Sequence, residues 1–166
     1  MVHIDISSND LGPKGATEIF RALQINESVI SLDMSSKEGL FRNRICELGL
    51  RELVPVLENN QRLTILSLSG NSIKTSGLEK IVKGLANNHT LLSLKIANNE
   101  IEGNKRTLKA LKIIATSKLQ ELDISGNALG NYCFEEFTIA LCSPGATLKH
   151  LYCSSISINR TLNEHY

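Results

Sequence analysis

The side chains able to do chemistry are few and far apart in this chain of 166 residues. Covalent or acid–base catalysis needs a nucleophile beside a base, or two acids within reach of one another. The four histidines, His3, His89, His150 and His165, are scattered. Asp33 and Asp123 recur at matched places in a repeating pattern. At ~5 Å per repeat they stand ~15 Å apart, too far for shared proton work. Four cysteines, Cys46, Cys133, Cys142 and Cys153, lack the C-x-x-C spacing of a metal or redox site. They read as small buried hydrophobes in a reducing, cytoplasmic compartment. No G-x-x-x-x-G-K-S/T loop offers a phosphate cradle. The sequence therefore predicts no enzyme, no metal and no cofactor.

What would position these residues is a repeat. Leu63 to Thr90, LTILSLSGNSIKTSGLEKIVKGLANNHT, is one complete unit. Leu66 and Leu68 alternate like a strand with one buried face. Asn71 ends the strand, its inward amide suited to bonding the backbone of its own and the neighbouring turn. Gly77 is expected to open a helix whose stripe is Leu78, Ile81, Val82 and Leu85. Asn87 and Asn88 suit a left-handed helix exit.

Repeat starts fall at Met1, Val29, Leu63, Leu91, Leu119 and Leu148, at intervals of 28, 34, 28, 28 and 29. The strand pairs are Ile4/Ile6, Leu32/Met34, Leu66/Leu68, Leu94/Ile96, Leu122/Ile124 and Leu151/Cys153. The asparagine slot holds Asn9, Asn71, Asn99 and Asn127. One strand and one helix cannot bury an apolar face alone, whereas stacked copies can. The expected fold is a single α/β solenoid domain spanning 1–166, about five and a half repeats of 28–29 residues.

The pattern L-x-x-L-x-L-x-x-N-x-I, with a glycine, a long helix and this period, resembles the ribonuclease-inhibitor-like class of leucine-rich repeats. The class is also seen in Ran GTPase-activating proteins, actin-regulating linker proteins and tropomodulins, and innate-immune sensors. The resemblance implies a right-handed horseshoe arc, strands concave and helices convex. It does not choose among functions.

Departures from the repeat carry the local information. Six extra residues lie within 35–42, where Lys37 occupies the second asparagine slot and the pattern resumes at Asn43-Arg44-Ile45. Phe41, Arg42 and Arg44 there are residue types favoured as interface anchors. The competing expectation is that Leu40 or Phe41 folds back over the core. In the fourth unit the helix stripe shifts by two, to Leu108, Leu111 and Ala115. Lys105, Arg106, Lys109, Lys112 and Lys118 then form a basic convex face with Glu102 as the only acid close by. Pro55 is expected to kink the second helix. At the ends, Ile156 fills the last asparagine slot. Ile158, Leu162 and the polar tail make an improvised cap, and the first strand is an open edge that favours self-association. The chain reads as a stand-alone repeat protein or as an excerpt of a longer one.

On the concave side one outward column reads Asp5, Asp33, Ser67, Lys95, Asp123, Tyr152. A second reads His3, Ser31, Ile65, Ser93, Glu121, His150. A third, Ser7, Ser35, Ser69, Ala97, Ser125, Ser154, follows the repeat. Asp33, Lys95, Glu121, Asp123 and Tyr152, with Phe41, Arg42 and Arg44 on the rim, are the candidate partner contacts. The expected function is a protein-interaction scaffold without catalysis. The alternatives are a GTPase-activating domain of the Ran type, implied by the resemblance and resting on Arg42, Asn43 and Arg44, or the sensor part of a larger signalling or effector protein. The first of these is disfavoured by too few repeats and no acidic tail. A net charge of +1 gives no general pull to nucleic acid. No apolar run reaches a membrane span, and MVHIDISSND is not a signal peptide. The sequons at Asn26, Asn88 and Asn159 are expected to be idle.

Overall fold

The computed structural model describes residues 2–36, 39 and 41–157. The sequence expectations at Met1, Lys37, Leu40, Ile158, Asn159, Leu162 and His165 lie outside those residues. Six parallel strands follow one another in chain order: β1 Val2–Asp5, β2 Val29–Asp33, β3 Ile65–Ser67, β4 Ser93–Lys95, β5 Glu121–Asp123 and β6 His150–Tyr152. Each crossover carries helix: α1 Gly12–Ile25, the pair α2 Cys46–Gly49 and α3 Leu53–Asn59, α4 Lys74–Leu85, α5 Lys105–Ala115 and α6 Gly130–Leu141. The result is an α/β leucine-rich repeat solenoid.

Strand register reproduces the sequence columns. Leu32, Leu66, Leu94, Leu122 and Leu151 are successive partners on the core side. The first four are buried, with Leu68, Ile96 and Ile124 beside them. The helices close the core through Phe20, Leu57, Leu78, Ile81, Leu111, Ile114 and Phe137. Each strand is too short to hold a sheet alone, and the stacked leucines supply the burial that the backbone bonds need.

Asparagines tie the turns together. The Asn71 amide donates to the carbonyls of Met34, Leu68 and Ser69 at 2.9, 3.0 and 3.2 Å, reaching its own turn and the previous one. Its Oδ1 accepts from the Ile45 N–H at 3.3 Å. Asn99 and Asn127 repeat the arrangement. Asn43 joins them: fully buried, it donates to Ile6, Met34 and Ser35 and accepts from the N–H groups of Asn9 and Leu11. Asn9, at the open end, is exposed, and its amide donates to Ser7 O of its own turn.

A second asparagine series closes the opposite end of each coil. The Asn60 amide reaches the carbonyls of Leu23 and Asn26, while its Oδ1 accepts from Arg62 and Leu63. Asn88 does the same towards Leu57 and Leu91. This corrects the expected left-handed exit: neither Asn87 nor Asn88 has positive φ. Asn88 is instead 6% exposed and bonded across the turn. Thr147 takes over in the last turn, donating to Ser117 O and Leu119 O.

Gly77 also differs from expectation. It lies inside α4, which begins at Lys74, and a Cβ there would stand 2.2 Å from Ile73 Cγ2. It serves close packing against the neighbouring helix, as Gly49 does one unit earlier. Pro55 does more than kink its helix. The helix is broken at Leu50–Glu52, and Pro55 falls in the first turn of α3, where its missing N–H has no partner to lose.

The fourth helix is shifted as its sequence predicts. Leu108, Leu111 and Ala115 are buried, and Arg106 and Lys109 are exposed. The cause is a late start. Glu102 makes an isolated parallel bridge to Ala128, and Asn104 then caps α5 by accepting from the N–H groups of Arg106 and Thr107.

Candidate functional site

The free face of the sheet is built by strand alternation. With Leu66, Leu94 and Leu122 turned into the core, the residues on either side face outward. Asp5, Asp33, Ser67, Lys95, Asp123 and Tyr152 are register partners across all six strands. So are His3, Ser31, Ile65, Ser93, Glu121 and His150. His3, Asp5, Ile65, His150 and Tyr152 are exposed, and Tyr152 stands 52% open.

Several candidates already have a structural duty. Asp33 Oδ1 accepts the N–H of Ser35 at 2.8 Å, and Asp123 Oδ1 accepts that of Ser125 at 3.0 Å. Asp5 does the same to Ser7. These bonds fix the exits from β1, β2 and β5 and use one carboxylate oxygen of each residue. The signal was present as the recurring D-x-S at the strand ends. Lys95 Nζ lies 3.4 Å from Glu121 Oε1, an ion pair between adjacent strands.

The insertion lies at the strand-exit rim and is clamped where it leaves and rejoins the coil. The Ser36 hydroxyl accepts the Asn43 N–H at 2.8 Å and donates to Asn71 Oδ1 at 3.2 Å. Phe41 O accepts the Asp10 N–H at 3.3 Å, and Arg42 Nη2 donates to Gly70 O at 3.0 Å. Phe41 is 67% exposed, which overturns the expectation that it covers the core. Arg42 is half-buried, whereas Arg44 is exposed with left-handed φ of 47°. Asn43 is wholly committed to the ladder and has no amide left to orient a water, contrary to the role it would take in GTPase activation.

The basic convex face is less free than its sequence suggests, because the neighbouring helices supply acids. Arg106 makes a bidentate contact with Glu79 of α4, and Lys112 Nζ lies 2.8 Å from Glu136 of α6. The bond from Arg106 holds the Glu79 carboxyl below its usual range. The bond to Glu136 raises Lys112. The acids that meet this face are thus Glu79 and Glu136, from the neighbouring helices. Lys105, Lys109 and Lys118 stay exposed.

All four thiols are free, and burial pushes those of Cys46 and Cys133 up, away from reactivity. Among the described residues no group of His, Cys, Asp and Glu could hold a metal ion. Among them, too, no helix is long and apolar enough to cross a membrane.

The repeated strand–helix coil, the asparagine ladder and the free sheet face make up the fold of a leucine-rich repeat solenoid. A family model described as Leucine Rich repeat matches residues 1–20, 59–82 and 117–131. No curated protein matches the sequence. Among solved structures, that of leiomodin-1 actin-binding site 2 (ABS2) is similar, with a TM-score of 0.70 and 22% identity. The match covers 85% of this chain and 79% of that one. At that identity the likeness is one of fold.

Proposed function

We propose that the chain is a non-catalytic scaffold of one repeat domain, 1–166, that grips a protein partner through its concave sheet face and the insertion rim. The contacts are Asp33, Lys95, Glu121, Asp123 and Tyr152 on the sheet, with Phe41, Arg42 and Arg44 on the rim. The observation that carries the reading is the contrast across one sheet. Inward residues repeat from unit to unit, while those of the two outward columns headed by Asp5 and His3 change at nearly every strand. A surface that varies over an invariant frame suits recognition. Phe41 adds a large apolar group held out on a clamped loop, at low entropic cost to a partner. The full helices and the 28-residue spacing support the ribonuclease-inhibitor-like class, and the free thiols support a reducing, cytoplasmic location.

The test is affinity capture with three chains: the intact protein, one lacking residues 37–42, and the triple variant Asp33→Ala, Asp123→Ala, Tyr152→Ala. A partner held by the intact chain and lost from both variants is expected. Equal recovery by all three would overturn the reading. Actin belongs in the panel, since leiomodin-1 carries an actin-binding site on this fold. Single-turnover GTP hydrolysis by small GTPases is expected to show no acceleration, because Asn43 is bound into the ladder.

A further inference from the structure

The middle of the free face holds an unusual arrangement. Ser93 points outward from β4, between Leu92 and the core-facing Leu94, yet is only 6% exposed. Its hydroxyl has no hydrogen-bond partner. A buried hydroxyl without a partner costs free energy unless something is gained elsewhere. Its register neighbours are Ile65 on β3 and Glu121 on β5, and Lys95 follows two residues on along the same face. Lys95 is paired with Glu121 at 3.4 Å. An orphaned hydroxyl is thus sunk beside an ion pair at the surface. The charges around it are lopsided. The two varying columns carry carboxylates at Asp5, Asp33, Glu121 and Asp123 and a single ammonium, that of Lys95. That one cation is already engaged. Tyr152 stands in register with Asp123 at the end of the row, 52% exposed.

Resting on the reading of this face as the partner site, we infer that it accepts a basic, extended segment of the partner, with Lys95 as an internal stand-in for the incoming cation. The partner's guanidinium or ammonium displaces Lys95 and takes the Glu121 and Asp123 carboxylates. The next polar group of the segment satisfies the Ser93 hydroxyl. The Tyr152 ring covers the aliphatic stem or face of a second basic side chain. Alternate side chains of an extended peptide point the same way, which matches the spacing of a strand-built surface.

Removing one contact residue, Lys95, must then improve binding. The probes are a short fluorescein-labelled peptide with arginine at alternate positions, the same peptide with citrulline, and the same with glutamate. Anisotropy titrations are run with the intact chain and its variants. Intact protein is expected to bind the arginine peptide and neither of the others, more weakly as salt rises. Lys95→Ala is expected to tighten binding about two- to fivefold, the scale of a released surface ion pair. The double variant Glu121→Gln, Asp123→Asn is expected to weaken it about tenfold, and Ser93→Ala about threefold. Far-ultraviolet circular dichroism confirms that each variant remains folded. Equal binding of the arginine and citrulline peptides, or weaker binding by Lys95→Ala, overturns the inference. Failure here is separable from failure of the scaffold reading. A captured partner whose binding ignores Lys95→Ala and Glu121→Gln but needs the rim loop sinks only the basic-segment inference.

Discussion

The second and third repeat units are neighbours made to the same plan, and they differ in almost everything except what holds them together. The third, from Leu63, keeps an unbroken helix and a short route from strand to helix. The second, from Val29, carries six extra residues and a helix broken before Pro55. Yet Asn43 and Asn71 make nearly the same bonds, each donating to its own turn and the previous one. The ladder therefore sets the spacing, and whatever lies outside it is free to diverge. Ser36 makes this possible. Its hydroxyl spans the gap that the insertion opens, bonding the Asn43 N–H on one side and Asn71 on the other.

Removing a ladder residue from each unit has the largest expected effect. Asn71→Ala and Asn43→Ala each leave several buried backbone groups without partners, and each is expected to cost about 3 kcal/mol or more. Chemical denaturation checks this. Near-equal losses support a common ladder, whereas a mild Asn43→Ala would mark the second unit as loosely held. Asn9→Ala, at the exposed end, should cost a small fraction of that.

Glycine packing gives the next largest effect. A Cβ at Gly70 would meet Ser36 O at 2.2 Å, in a backbone with φ of +73°. Gly70→Ala should therefore cost about 2 kcal/mol through steric displacement and left-handed strain. Because Ser36 anchors the insertion, the same variant is expected to increase hydrogen exchange at Asn43 N–H. Ser36→Ala, which removes the bridge without a clash, should cost about 1 kcal/mol. Smallest of all, Phe41→Ala should change stability by less than about 0.5 kcal/mol, since the ring is already in water. Its effect is expected on partner affinity alone. On the convex side, Arg106→Ala should let the Glu79 carboxyl rise back towards its ordinary pKa, readable by NMR titration. The Glu79 contribution runs in the usual sense for a lowered acid: present above the ordinary carboxylate pKa and lost as pH falls through the lowered one.

Most of the frame was legible because it is periodic. A fixed interval determines which strand residue meets which, so the outward columns and core leucines could be read off by counting. The shifted fourth helix was legible for the same reason, since a basic pair at core positions is a contradiction that only a shift resolves. What counting missed were contacts between units at places where side-chain type varies. Asn60 and Asn88 form a second ladder, but Ser117 bonds only within its own turn and Thr147 supplies the last bond across, which hides the series. Glu79 and Glu136 meet Arg106 and Lys112 across helices, at separations no local pattern records. Gly77 looked like a helix start because glycine often marks boundaries. Its reason is the crowding by Ile73 at the head of its own helix and Leu50 of the previous unit, and the second of these only the packed coil reveals. The exposure of Phe41 was likewise undetermined, since a loop of that length could fold either way.

The central claim is that the frame and the recognition surface are separable within one unit. Deleting residues 37–42 tests it most directly, with the unfolding midpoint and the affinity for a captured partner measured on the same preparation. A midpoint close to that of the intact chain is expected, with an affinity reduced at least tenfold, the loss typical of a hot-spot anchor. A midpoint that collapses while affinity survives would contradict it.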